Sequence, residues 1–192
     1  LWNALWIKTE VAITNAEQPI WNWVGAVLQV REVLRVLQQS PLRAKDLEEK
    51  ALDLAAQLLV LCWVSKFYRT AYKLAKDTLV SWKALEKLQA VIKAQKWENP
   101  TIWSEELVLW QHTYEVLSEK NWKVKSIDMK YLNMIARTLW APSDLTAWVF
   151  LHKKLWDKVK AWEVIMTCYA NSEHKMEMAK EFLESKIPYL IK

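Results

Sequence analysis

The residues that could do chemistry in this sequence are three histidines, two cysteines and a few paired carboxylates. His112 is followed by Glu115 and Glu119, which would lie on nearly one face of a helix. One imidazole and two carboxylates could begin a metal site. A bundle-type di-iron site needs Glu-x-x-His twice, however, and Leu109 stands where the first Glu would be. The pattern therefore favours no bound metal.

His152 lies between Trp148 and Trp156 on one predicted helical stripe. Such a histidine could ligate a haem in the groove of a helical bundle, but a lone histidine on an aromatic face is more often structural. His174, in the segment Ser-Glu-His-Lys, is typical of a solvated turn. The histidines therefore indicate no cofactor.

Nucleophilic catalysis finds no pattern in the sequence. Neither Cys62 nor Cys168 has a histidine at helical spacing, and no serine stands in a glycine-flanked elbow. The two cysteines are too far apart for a metal knuckle, and we interpret them as buried free thiols of a reducing intracellular compartment or organelle interior. The pairs Glu48-Glu49 and Glu105-Glu106 lie near predicted helix starts, where the helix dipole explains them. We therefore expect no catalytic residue and no enzyme.

A basic ridge is the clearest predicted surface feature. Its six cations fall within one arc of a helix, and they are Lys66, Arg69, Lys73, Lys76, Lys83 and Lys87. Such a ridge suits a phosphate backbone or an acidic partner. A solvated face beside an apolar stripe is the alternative, and the net charge of +5 does not decide between them.

The chain has 14 tryptophans in 192 residues, more than one small core usually needs. Tryptophan is enriched at binding hot spots, so several of these side chains could line a protein interface. The candidate interface aromatics are Trp2, Trp6, Trp21, Trp23 and Tyr72. Core packing is the alternative.

Composition restricts both fold and function. The single glycine, Gly25, excludes glycine-rich phosphate loops and dinucleotide fingerprints, and it disfavours tight hairpins. No apolar run reaches the length of a membrane span. Residues 42–98 contain neither glycine nor proline and carry an apolar seven-residue repeat. One long helix over about 41–97 is the simplest interpretation, and a break near Ser65 to Thr70 or near Asp77-Thr78 is the alternative.

Helix starts are predicted at Ser40-Pro41, at Asn99-Pro100 and at Pro142-Ser143, where a capping side chain adjoins a proline. The remaining helical spans, bounded by these prolines and caps, are about 2–17, 19–39, 101–120, 126–140, 143–170 and 171–187.

Two C-terminal segments align at a separation of 31, with Tyr131 matching Trp162 and Leu151 matching Phe182. The second segment, with Trp162, Ile165, Met166 and Tyr169, resembles a tetratricopeptide or pentatricopeptide repeat unit, although the repeat glycine is missing. The resemblance implies a helical-repeat scaffold and, for the pentatricopeptide type, RNA binding.

We therefore predict an all-α fold. A helical bundle with a long central helix would occupy 1–125, and paired short helices would occupy 126–192. The predicted function is a non-catalytic interaction or scaffold protein, a subunit of a larger assembly with protein partners. An RNA-binding protein of a ribonucleoprotein complex and a designed helical protein without natural function are the alternatives.

Overall fold

The computed structural model describes residues 8–96, 99, 101, 103–106, 112–141, 143–145 and 147–192, and it is a mixed α/β fold. The α-helices are α1 (Ala26–Leu37), α2 (Lys45–Leu61), α3 (Tyr68–Val80), α4 (Lys83–Ala94), α5 (Met129–Thr138) and α6 (Glu173–Ser185). The strands are β1 (Trp23–Val24), β2 (His112–Leu117), β3 (Trp122–Ile127), β4 (Trp148–Leu151), β5 (Lys158–Val159), β6 (Val164–Ala170) and β7 (Tyr189–Ile191). Among the described residues, no helix combines the length and the apolarity needed to cross a membrane.

The chain forms two compact units. The first contains Leu1–Asn15 and Val33–Trp103, and the second contains Ala16–Glu32 and Ser104–Lys192. Helix α1 contributes to both, because the division falls between Glu32 and Val33. The predicted boundary at 125/126 stays a prediction, since compact packing does not by itself show which parts fold independently.

The first unit is helical, and its core is small. Val36 of α1, Leu52 of α2 and Leu79 of α3 form a buried cluster, and Tyr72 packs against it half-buried. The predicted single helix over 41–97 is wrong, because the chain leaves the helical path at residues 62–67 and again at 81–82. The first break overlaps the alternative at Ser65 to Thr70, and the second lies shortly after the alternative at Asp77-Thr78.

The second unit contains two antiparallel sheets. Strands β1, β4, β6 and β2 form the larger sheet in that order, and β5, β3 and β7 form the smaller one. The main hydrophobic core lies against the larger sheet. It joins Val149 of β4 and Met166 of β6 to Leu132 and Ile135 of α5 and to Ala179 of α6. Helices α5 and α6 therefore cover one face of this sheet.

The all-α prediction is wrong, and so are the paired helices and the repeat resemblance over 126–192. The segments expected to be helices over 101–120 and 143–170 form β2, β4, β5 and β6. Strand β6 is buried on both faces, so Val164–Ala170 is apolar except at Thr167, and periodicity does not distinguish it from a buried helix. Strand β3 carried a usable signal, because Lys123, Val124 and Lys125 alternate between exposed and buried positions.

One tyrosine joins α5 to α6. The Tyr131 hydroxyl donates to the Phe182 carbonyl at 2.7 Å, and the two rings stack with their centroids 4.9 Å apart. We expect Tyr131→Phe to lower the free energy of unfolding by about 1 kcal/mol, because it removes the hydroxyl, which also lies 3.1 Å from Ser185 Oγ, and keeps the stacked ring. Tyr131→Ala should cost clearly more, because it removes both. Urea unfolding of the two variants measures both losses. Equal losses would show that the stacked ring contributes nothing beyond the hydroxyl, contrary to this prediction.

Candidate functional site

The larger sheet carries a row of unlike side chains on the face opposite the main core. The strand register places Phe150 of β4 opposite Thr167 of β6, and Thr167 opposite Glu115 of β2. Directly opposite residues of neighbouring strands share a face, so these three side chains lie side by side. We call these three residues together with His152 and Tyr169 the His152 cluster.

His152 follows β4 and reaches back over this row. Its Nε2 lies 2.8 Å from Thr167 Oγ1, and its ring meets Phe150 edge-on with the centroids 4.5 Å apart. Desolvation lowers the pKa of His152, Lys153 lowers it further, and the negative charge of Glu115 opposes both effects. The imidazole is therefore neutral at neutral pH and can accept a proton or exchange hydrogen bonds.

The aromatic part of the cluster continues to β1 and α1. Trp23 lies 4.0 Å from Phe150 and 6.3 Å from Tyr169 between ring centroids, and Leu28 of α1 is buried beside it. Burial raises the pKa of Tyr169, while a hydrogen bond with Thr167 lowers it. Because Trp23 is only 8% exposed, these rings form an internal aromatic cluster, and His152 and Glu115 are the exposed polar side chains beside it. Thr167 is only 4% exposed, so a ligand could reach His152 and Glu115 but not Thr167.

The loop after His152 is fixed by its own lysines. Lys153 Nζ lies 2.6 Å from Glu163 and donates to the Lys158 carbonyl at 3.0 Å, and Lys154 Nζ donates to the Ile20 carbonyl at 2.9 Å. The Tyr189 hydroxyl donates to the Lys153 carbonyl at 2.9 Å. These contacts use both lysines structurally and hold His152 at the end of β4.

The cluster predicts a pH dependence. Because the pKa of His152 is lowered in the folded protein, its contribution to stability is complete above the ordinary histidine pKa of about 6.5 and is lost as the pH falls through the lowered value. We expect His152→Gln to flatten the dependence of the unfolding free energy on pH between about 7 and 5. Denaturant unfolding across this range measures the slope. His174→Gln, on the exposed side of α6, is the matched control, and a slope that both variants leave unchanged would contradict the prediction.

The structure separates the residues of the rejected metal pattern. His112 and Glu115 lie on β2, where their spacing points them to opposite faces, and Glu119 lies beyond the end of that strand. Within the described residues, no group of three or more His, Cys, Asp or Glu side chains could hold a metal ion. Cys168 is buried, which raises its pKa to about 12, whereas Cys62 is exposed, contrary to the expectation for both thiols.

The basic ridge is distributed over three segments. Lys66 lies before α3, Arg69, Lys73 and Lys76 lie on α3, and Lys83 and Lys87 lie on α4. All six are exposed. Because the chain breaks at 81–82, helical periodicity relates the three α3 cations to one another and Lys83 to Lys87, but it does not relate the two sets. Their use by a phosphate group or an acidic partner stays a prediction.

The candidate interface aromatics have different environments. Trp2 and Trp6 lie outside the described residues. Trp23 is 8% exposed and belongs to an internal cluster, whereas Trp21 and Tyr72 are half-buried. Sequence reasoning missed Thr167 and did not relate Glu115 to His152, because only the register of β2, β4 and β6 brings these residues together.

Comparison with known proteins gives two consistent matches. Residues 123–190, which span β3 to β7, match the family described as the pyrimidine nucleoside phosphorylase C-terminal domain. The chain is 35% identical to an AMP phosphorylase of Thermofilum pendens over 185 residues, which is 96% of this chain and 35% of that protein.

Two further relatives agree. An AMP phosphorylase of Methanosarcina barkeri is 36% identical over 191 residues, 100% of this chain and 37% of that protein. AMP phosphorylase 2 of Archaeoglobus fulgidus is 33% identical over 180 residues, 94% of this chain and 34% of that protein. The chain therefore spans about a third of the length of the curated relatives it matches.

These similarities overturn the functional predictions made from the sequence. The non-catalytic scaffold, the RNA-binding repeat protein, the designed protein without natural function and the expectation of no enzyme are wrong, because the proteins similar to nearly the whole chain are phosphorylases. Residue patterns alone gave no sign of this. What the chain resembles is one part of a larger nucleotide or nucleoside phosphorylase, with β3 to β7 as its C-terminal-domain-like region.

Proposed function

We propose that this chain is part of a phosphorylase that cleaves AMP with inorganic phosphate. The observation that carries the proposal is identity of 33–36% to AMP phosphorylases over 94–100% of the chain in three relatives. Similarity that covers both units supports a shared activity better than a match to one unit would.

Cleavage of a pyrimidine nucleoside with phosphate is the second candidate. It is favoured by the match of residues 123–190 to the pyrimidine nucleoside phosphorylase C-terminal domain. The two candidates share the reaction class and differ in the base and in the phosphate group on the sugar. Only substrate preference separates them.

In this proposal, the protein partner expected from the sequence is the rest of the same polypeptide. Because the chain spans about a third of its relatives, the remaining part of the same polypeptide would contact it. Exposed apolar side chains on the helical unit, among them Leu54, Leu58, Leu74 and Val80, offer a surface for such contacts. The complete reaction would then need residues from outside these 192.

The test is base release by the full-length polypeptide in the presence and absence of inorganic phosphate, followed by chromatography. We expect phosphate-dependent release of adenine from AMP. Faster release of uracil from uridine would favour the second candidate. No phosphate-dependent base release from either substrate would overturn the proposal.

The isolated 192-residue chain serves as the internal control of this assay. We expect it to be inactive with both substrates, because it spans only 35% of an active relative's length. Activity of the isolated chain would show that the site is complete within it and would contradict the proposed division of the active site.

A further inference from the structure

Six of the 14 tryptophans occupy backbone conformations that are typical of glycine. Eight described residues other than glycine have positive φ, and six of these are tryptophan. They are Trp63 (φ 60°), Trp82 (66°), Trp122 (157°), Trp140 (75°), Trp156 (72°) and Trp162 (65°). Positive φ is uncommon for any residue with a Cβ and is an outlier for a bulky one, whereas glycine adopts it without a steric cost.

Tertiary packing does not explain these conformations. The six side chains are between 40% and 83% exposed. Burial of the aromatic rings therefore does not offset the free-energy cost of the strained backbone. Burial would be the usual compensation for such strain, because a residue in a sparsely populated conformation persists only where its surroundings over-determine it. The backbone at these positions therefore reflects a requirement of the fold and not of the tryptophan side chain.

Two of the six positions end helices in the arrangement that selects glycine. After α2, the amide of Trp63 donates to the Val60 carbonyl at 3.0 Å, and the next amide, of Val64, donates to the Leu59 carbonyl at 3.0 Å. After α5, the amide of Trp140 donates to the Arg137 carbonyl at 2.8 Å, and that of Ala141 donates to the Ala136 carbonyl at 2.9 Å. Both are Schellman motifs, whose left-handed residue is usually glycine.

Two more positions lie in tight turns that flank β5. Trp156 is the third residue of the turn in which the Asp157 amide donates to the Lys154 carbonyl at 3.1 Å. Trp162 is the third residue of the turn in which the Glu163 amide donates to the Lys160 carbonyl at 3.1 Å. A β-turn with positive φ at its third residue requires glycine or asparagine there.

The composition agrees with the backbone. Average usage gives roughly 13 glycines in a chain of this length, and the chain has one. Glycine at the six tryptophan positions with positive φ would raise the number of glycines to seven, closer to that expectation. Gln39 and Lys96 show that a flexible side chain can also end a helix at positive φ in this fold. They do not explain why tryptophan dominates these positions.

We propose that Trp63, Trp82, Trp122, Trp140, Trp156 and Trp162 are glycines in the protein as its own cell makes it. The mechanism is decoding of UGA, a codon that cells read as a stop, as tryptophan or as glycine. At a UGA codon, a cell that reads this codon as glycine inserts glycine, whereas translation of the same codon as tryptophan puts tryptophan at that position. The inference does not rest on the proposed phosphorylase function.

Mass spectrometry of the protein isolated from its own cell tests the proposal directly. Trypsin releases residues 51–66, 77–83 and 161–175, which contain Trp63, Trp82 and Trp162 respectively as their single tryptophan. We expect each peptide to be lighter by the mass difference between tryptophan and glycine, and the matching codons in the gene to be UGA. Peptides with the tryptophan mass, or UGG at these codons, would overturn the proposal.

A stability comparison in the full-length polypeptide tests the physical reason independently. The chain with tryptophan at the six positions is compared with one carrying Trp→Gly at all six and one carrying Trp→Ala at all six. Glycine should raise the Tm by roughly 10 °C or more. Alanine also removes the ring but keeps the Cβ that opposes positive φ, so it should give little of this gain. Equal gains for glycine and alanine, or no gain for glycine, would contradict the conformational argument.

Discussion

Replacing Gly25 with alanine is expected to lower the free energy of unfolding by roughly 3 kcal/mol or more. Gly25 has φ +151°, and a Cβ built on it would lie 2.8 Å from the Ala147 carbonyl oxygen and 2.6 Å from the Trp148 Cβ. Neither neighbour is the free end of a flexible side chain, so the backbone of β1 or β4 would have to move. The same region pairs Val24 with Val149, and that movement would disturb the edge of the larger sheet.

Denaturant unfolding of the Gly25→Ala variant measures this loss. Val30→Ala is the matched control, because Val30 lies on the neighbouring helix α1 and is 51% exposed. The control should change the unfolding free energy by less than about 0.5 kcal/mol. A Gly25→Ala variant as stable as the control would show that β1 and β4 separate here at little cost.

The second large effect is expected in the main core. Ile135 on α5 is fully buried in the cluster that joins α5 and α6 to the larger sheet. Ile135→Ala should lower the free energy of unfolding by about 2–5 kcal/mol, because the lost methyl groups leave a cavity that the surrounding strands and helices fill only in part.

Met134 is the control for this prediction, because it precedes Ile135 on the same helix and is 42% exposed. Met134→Ala removes side-chain atoms of similar size without opening a cavity. We expect a loss of less than about 1 kcal/mol for it in the same urea titration. Similar losses for the two variants would mean that α5 is held by its helical backbone and not by its buried face.

Helix existence could be predicted from the sequence in several places, and helix boundaries could not. The apolar pattern over 42–98 does correspond to α2, α3 and α4, but the chain reverses after Leu61 and breaks at 81–82. Ser40-Pro41 predicted a helix start, yet α2 begins at Lys45 after a turn in which the Leu42 amide donates to Ser40 Oγ. Local capping chemistry suits a turn as well as a helix, and packing decides between them.

Helices were predicted where the structure has strands, and the glycine proposal explains why. The near absence of glycine was the argument against β-hairpins and tight turns, yet tight turns do connect β5 to β6 and lie before β5. Trp156 and Trp162 lie at the turn positions where glycine would have predicted those turns from the sequence. With glycine there, the segments around 154–157 and 160–163 would have predicted two turns between short strands.

The sequence by itself determined the local properties of this protein: which segments can form amphipathic helices, where its cations are exposed, and that no apolar run is long enough to span a membrane. The tertiary structure decided which apolar runs became strands, because burial on both faces of β6 removes the alternation that marks a strand. It also decided the His152 cluster. Glu115, Thr167 and His152 are distant in sequence, and only cross-strand hydrogen bonding, which depends on register and not on local propensity, sets them side by side.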